Sequence, residues 1–124
     1  MGEKFSSSQE QQLKKSKQFK MSDEKIQELQ ILESNLRNLL MQKQGFQIEL
    51  SEAESALREI KSSEGDVYKI AGQFLIKSKR ENVIESLEKK QKMFKLRIES
   101  IEKQESSINE KMEALQKELM PSKN

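Results

Sequence analysis

The chain has 124 residues, 33% hydrophobic and 5% aromatic against 35% charged, too little apolar material for a thick core, since globular domains use roughly 45–50% apolar residues. Its 23 basic and 21 acidic residues are interspersed and leave a formal charge of +2, which excludes the one-sided field of a general nucleic-acid or anionic-membrane binder. Cysteine and histidine are both absent, so disulfide frameworks, thiolate metal sites and histidine acid–base chemistry are excluded as well.

Residues 1–21, beginning MGEKFSSSQEQQLKKSKQFK, are polar and basic without a sustained apolar pattern, and composition predicts a flexible tail. A first helix is expected from Ser22 or Asp23, either of which can cap the first free N–H groups, to about Ser62. Along it Leu29, Leu32, Leu36, Leu39, Lys43, Phe46, Leu50, Ala53, Leu57 and Ile60 alternate spacings of three and four, and nine of these ten are apolar. That is a heptad seam. Gly45 falls inside this helix, at a cost of about 1 kcal/mol relative to alanine, and no role for it is evident from the sequence.

The next stretch, GDVYKIAGQFLIKSKREN (65–82), changes character. Val67–Ile70 and Gln73–Ile76 are rich in β-branched and aromatic residues, and the intervening Ala71–Gly72 supplies a residue that tolerates positive φ. A β-hairpin is predicted over about 66–77. It is longer than the two to eight residues that join neighbouring helices, and a lone two-stranded hairpin is marginal in water. Either it packs back on the helix ends, or hairpins of several subunits pair edge to edge into an intersubunit β-barrel, which removes the edges. Val67, Tyr68, Ile70, Gly72, Phe74, Leu75 and Ile76 are the candidate assembly residues.

A second helix is expected from Ser78–Asn82 to just before Pro121, which cannot continue it, leaving 121–124 as a C-terminal tail. Its seam is Ile84, Leu87, Gln91, Phe94, Ile98, Ile101, Glu105, Ile108, Met112, Leu115 and Leu119, nine of eleven apolar. Each helix is then on the order of 55–60 Å long and unable to stay folded alone. Folding at the hairpin pairs the seams antiparallel with Ile60 opposite Ile84, Leu50 opposite Phe94 and Phe46 opposite Ile98. In this register Lys43 and Glu105 lie one turn apart, and two outcomes are open. They approach each other and fix the register at some cost in stability, or both snorkel to water. The expected fold class is therefore mainly α: a long antiparallel two-helix coiled coil over residues 22–120, joined by one β-hairpin that assembles into an intersubunit barrel.

With VYKIAGQFLIK (67–77), RENVIESLEKK (80–90) and LRIESIEKQE (96–105) set between two heptad helices, the chain resembles the β-type subunit of prefoldin, whose members carry one hairpin where α-type subunits carry two. The resemblance covers roughly residues 22–120. It implies a hexamer of two α-type and four β-type subunits, with linked β-barrels and six projecting coiled coils. The implied activity is that of an ATP-independent holding chaperone of the cytoplasm, which binds unfolded client proteins at the coiled-coil tips and delivers them to a group II chaperonin.

Holding non-native chains requires exposed apolar surface that does not select a sequence. The open ends of the helices supply Ile26, Leu29, Met112, Leu115, Leu119 and Met120 as candidate client-binding residues. Methionine suits promiscuous binding because it is flexible and polarizable. The alternative is that these side chains close the seam, above all Leu29 with Leu115. Charged tip residues for chaperonin docking are Lys111, Glu113, Lys117 and Glu118.

No phosphate-cradling glycine loop, metal-ligand spacing or catalytic constellation occurs, so no enzyme, cofactor or metal is expected. Lys77–Arg97 holds eight basic and three acidic residues, but interleaved glutamates and the lack of aromatic stacking platforms argue against nucleic acid. No membrane partner is expected, since no apolar run approaches the roughly 20 residues that span a bilayer. The competing function is a coiled-coil scaffold or tether that oligomerises through its hairpin without chaperone activity. The two readings differ at the tips: a scaffold predicts defined partners, a chaperone many unfolded ones.

Overall fold

The computed structural model describes the backbone of residues 7–120 and the side chains of residues 22–120. Two helices, α1 (Ser7–Ser62) and α2 (Arg80–Leu119), flank an antiparallel hairpin of β1 (Val67–Ala71) and β2 (Phe74–Ser78). This is the expected mainly α architecture with a single hairpin.

The helix α1 begins at Ser7 and not at the expected caps Ser22 or Asp23. Residues 7–21 contain no glycine or proline, and eight of them are Gln or Lys, residues that favour a helix. Extending a formed helix by such residues costs little, whereas a capping side chain marks a start only where the preceding residues do not propagate. Residues 1–6, and the expected stop at Pro121 with the tail 121–124, lie outside the described residues.

Internal contacts divide the chain into two units. The first, residues 38–105, holds the hairpin and most of the buried core. Ala53, Leu57 and Ile60 of α1 and Phe94 and Ile101 of α2 are buried, while Leu39, Phe46, Leu50, Ile84, Leu87, Gln91 and Ile98 are half-buried. These are the heptad positions. Phe46 and Phe94 meet across the seam with ring centroids 6.2 Å apart and planes tilted by 32°, an aromatic contact that adds to their burial. Phe94 was expected opposite Leu50, one turn along. A seam side chain inserts among four residues of the facing helix, so neighbouring turns share it. The Arg97 guanidinium lies over the Phe46 ring, its carbon 5.3 Å from the centroid, within cation–π range.

Lys43 and Glu105, the two charged residues on the seams of this unit, meet. Lys43 Nζ lies 3.3 Å from Glu105 Oε1 and donates to Oε2 at 3.4 Å. Both side chains are half-buried, and Oε1 accepts no hydrogen bond of its own. Of the two outcomes open in the sequence, approach is the one observed.

The second unit comprises residues 1–37 and 106–124. Within its described part, Leu115 is buried and Leu29, Leu32, Leu36, Ile108, Met112 and Leu119 are half-buried. An ion pair from Lys25 Nζ to Glu118 Oε2, 3.2 Å, joins α1 to the end of α2.

Candidate assembly and binding surfaces

The hairpin is built from five residues on each strand, Val67 pairing with Ser78, Tyr68 with Lys77, Lys69 with Ile76, Ile70 with Leu75 and Ala71 with Phe74. The loop is Gly72–Gln73, one residue later than the predicted Ala71–Gly72, because Ala71 pairs as a strand residue. Gly72 has φ 62° and Gln73 does not have positive φ. Positive φ at the first loop position alone is the signature of a type II′ turn, whose twist suits a two-residue hairpin and favours glycine there.

Residues directly opposite share a face of the ribbon. Val67, Lys69, Ala71, Phe74, Ile76 and Ser78 form one face, and Tyr68, Ile70, Leu75 and Lys77 the other. Neither face is covered. Ile70, Phe74 and Leu75 are each 70–75% exposed, and Tyr68 and Ile76 are exposed too. Of the predicted assembly side chains only Val67, at the root, is half-buried. Both outer strand edges are also free of partners within the two-stranded sheet.

The root of the ribbon is held in place by Arg80, the first residue of α2. Its guanidinium donates to the main-chain oxygens of Ile60, Ser63 (2.6 Å) and Gly65 (2.8 Å). Carbonyls at a helix C-terminus lack intrahelical partners and carry partial negative charge, so one cation serves the end of α1 and the loop together. Gly65, with φ 107°, turns the chain there. Lys77 and Asp66 form an exposed ion pair of 3.6 Å across the root. A cleft of about 890 Å³ separates the ribbon from the helix ends, with Ala56, Ile60, Tyr68, Val83 and Leu87 on its walls.

Sequence reasoning missed Arg80 because its partners are backbone atoms. A signal was present: a cation in the first turn is unfavourable for α2's own positive end and so invites a partner elsewhere.

The six candidate tip residues are sorted by the structure. Leu115 is 9% exposed, Leu29, Met112 and Leu119 are half-buried, and Ile26 and Met120 project to solvent, Met120 with 69% of its surface exposed. Lys111, Glu113 and Lys117 are exposed, and Glu118 is the partner of Lys25. Among the described residues no group of Asp and Glu side chains is arranged to hold a metal ion, and no helix is long and apolar enough to cross a membrane.

Two heptad helices flanking a two-stranded ribbon with two bare faces and two unpaired edges place the chain among coiled-coil proteins that carry a β-hairpin. Residues 23–122 match the family model of the prefoldin subunit, and the chain belongs to the prefoldin family, in its single-hairpin β class. It is 33% identical over 75 residues to the prefoldin subunit beta of Archaeoglobus fulgidus, which covers 59% of this chain and 65% of that protein. To the prefoldin subunit beta of Pyrobaculum islandicum it is 34% identical over 67 residues, 52% of this chain and 54% of the relative. The matches thus span between half and two thirds of these relatives' length. The crystal structure of the prefoldin beta subunit from Thermococcus strain KS-1 superposes with a TM-score of 0.75 at 30% identity, covering 82% of this chain and 95% of that one. The beta2 subunit of the same strain gives 0.62 at 25% identity, covering 69% and 94%.

Proposed function

We propose that this chain is a β-type subunit of a prefoldin hexamer, four copies joining two α-type subunits, and that the hexamer is a cytoplasmic, ATP-independent holding chaperone. The observation that carries the reading is the hairpin: Ile70, Phe74 and Leu75 lie bare on both faces of a two-stranded ribbon. Such a surface is unstable in water until other strands and side chains cover it. Pairing the edges of several hairpins into barrels does so and mounts the coiled coils on one platform.

The client-binding ends are then the free helix tips. Ile26 and Met120 offer apolar surface at once, whereas Leu29, Met112, Leu115 and Leu119 become available as the last turns open. Each tip binds weakly, since few side chains engage and ordering them costs entropy. Six tethered tips raise the effective concentration of the next contact, so the assembly holds while each grip releases readily. Release without nucleotide suits transfer to a group II chaperonin, with Lys111, Glu113, Lys117 or Glu118 as docking charges.

One observation favours a second reading. Burial of Leu115 and the Lys25–Glu118 ion pair close the seam near its end, as a tether or scaffold requires. Light scattering of a denatured model protein separates the two. The chain co-assembled with an α-type subunit is expected to suppress aggregation without ATP, and truncation after Ile108 is expected to abolish suppression. An intact hexamer that suppresses nothing leaves the scaffold as the function.

A further inference from the structure

The cations of α2 are not evenly spread. Residues 89–97 contain five basic residues and no acidic one. The glutamates on either side are already engaged: Glu85 pairs with Lys89 at 3.2 Å, Glu88 with Lys61 of α1 at 3.7 Å, and Glu99 with Lys103 at 3.8 Å. Lys90, Lys92 and Lys95 form no ion pair among the described residues. Like charges three residues apart on a helix repel, so the run Lys89, Lys92, Lys95 destabilises α2 without compensation from an ion pair inside the chain.

Along the same stretch the face turned away from the seam is apolar and concave. Met93 and Leu96, on successive turns, are 39% and 57% exposed. The short side chains of Ser86 and Ser100 on either side of them leave two shallow depressions of about 410 Å³ each, which share Lys89 and Met93. Together the depressions run from Asn82 to Ser100, about 27 Å of helix. Lys89, Lys90 and Lys92 border them, with methylene stems against the apolar floor and ammonium groups in water. Arg97 lines the same floor while its guanidinium rests 5.3 Å from the Phe46 centroid, a cation held in place without a carboxylate.

An apolar floor rimmed by unpaired cations is complementary to a peptide that carries an apolar side chain between carboxylates. The floor takes the side chain, the lysines take carboxylates as point charges, and the guanidinium accepts one in its planar fork. A nucleic acid would meet the rim but not the floor, since the nearby aromatic ring, Phe94, is buried and offers no base a stacking platform. Two apolar side chains are also too few to seat a helix in a membrane surface.

We infer that the outward face of α2 between Asn82 and Ser100 is a docking site for an acidic segment of another protein, anchored by an apolar side chain on Met93 and Leu96. Every residue of the site lies on one helix of one subunit, so the site needs neither the hexamer nor the tip residues Ile26 and Met120. Its ion pairs are exposed and individually weak, which makes the contact reversible and sensitive to salt.

The probe is a short fluorescent peptide with glutamates on both sides of a Leu-Phe pair, titrated by anisotropy into the full chain, alone and co-assembled with an α-type subunit. Equimolar binding to this chain is expected in both states. Lys89→Glu with Lys92→Glu should weaken it about tenfold or more at low salt, and raising salt to about 0.3 M should weaken it for the parent as well. Leu96→Ser, which leaves every charge in place, should weaken it about fivefold. Ile26→Ser with Met120→Ser should leave it unchanged, and circular dichroism checks that each variant keeps its helices. Absence of binding, or an affinity within about twofold of the parent in either α2 variant, overturns the inference. Loss of binding in the tip variant makes the peptide a client held at the helix ends, and the inference is then wrong. Equal binding of a single-stranded oligonucleotide or of phosphatidylserine vesicles, insensitive to Leu96→Ser, reduces the run to a bare electrostatic patch and overturns it too.

Discussion

Replacing Arg80 with alanine tests how the ribbon is oriented. The guanidinium serves three carbonyl oxygens, those of Ile60, Ser63 and Gly65, and only the bond to Ile60 is partly buried. Bonds to a charged donor contribute about 1.5–3 kcal/mol each when shielded and much less when water can replace them. The shielded bond dominates, with a few tenths of a kcal/mol from each exposed one, for a gross loss of about 2–3 kcal/mol. Against this, removing a cation from the first turn of α2 relieves an unfavourable dipole interaction of about 0.3–1 kcal/mol. The net destabilisation expected is about 1–2.7 kcal/mol, or a Tm lowered by about 4–12 °C for a chain of this size. Thermal unfolding at fixed protein concentration gives the global effect, and hydrogen exchange of the amides of β1 and β2 gives the local one. Arg80→Lys should recover less than half, since an ammonium lacks the planar fork that reaches several acceptors at once. A Tm within 1 °C of the parent, with hairpin protection unchanged, would refute the idea that Arg80 pins the ribbon.

Three further outcomes are expected. Lys43→Leu strands the half-buried Glu105 carboxylate and should cost about 1–2 kcal/mol, while the double change Lys43→Leu with Glu105→Leu should be neutral or stabilising; urea unfolding of both variants checks the sign reversal. Ile70→Lys with Phe74→Lys should leave helix content by circular dichroism unchanged but reduce the sedimenting mass at least twofold, because both side chains are largely exposed and lie outside the helical seam. Gly72→Val forces a β-branched residue to φ near 62° and should cost about 1–3 kcal/mol, read as a lower denaturation midpoint or faster exchange at the turn.

The heptads were the most legible part of the sequence. All ten seam positions of α1 and all eleven of α2 are buried or half-buried, because the alternation of three and four leaves a helix pair one apolar stripe to hide. The meeting of Lys43 with Glu105 followed from the same register. What failed was local: a serine and an aspartate that look like caps lie inside a continuous α1, and the turn slid by one residue because Ala71 is as able to pair as to turn. Arg80 escaped because its acceptors are carbonyls, which carry no residue identity for a pattern to reveal. The tips were only half legible. The same leucines serve a closed seam or an open grip, and Ile26 lies off the seam and Met120 just past the end of α2, whereas Leu115 sits on it.

The contacts that join the two helices span very different lengths of chain. Arg80 reaches a residue 20 positions away and Lys43 one 62 away, while Lys25 must wait for Glu118. Closing a longer loop costs more entropy, so pairs near the bend are expected to form before those far from it, and the far pairs to fray first. On a ribosome this order has an awkward result. The leucine stripe of α1 emerges bare before α2 has emerged to cover it, so the newborn subunit is for a time the kind of sticky, unfinished chain that, on the proposed function, its finished assembly shelters.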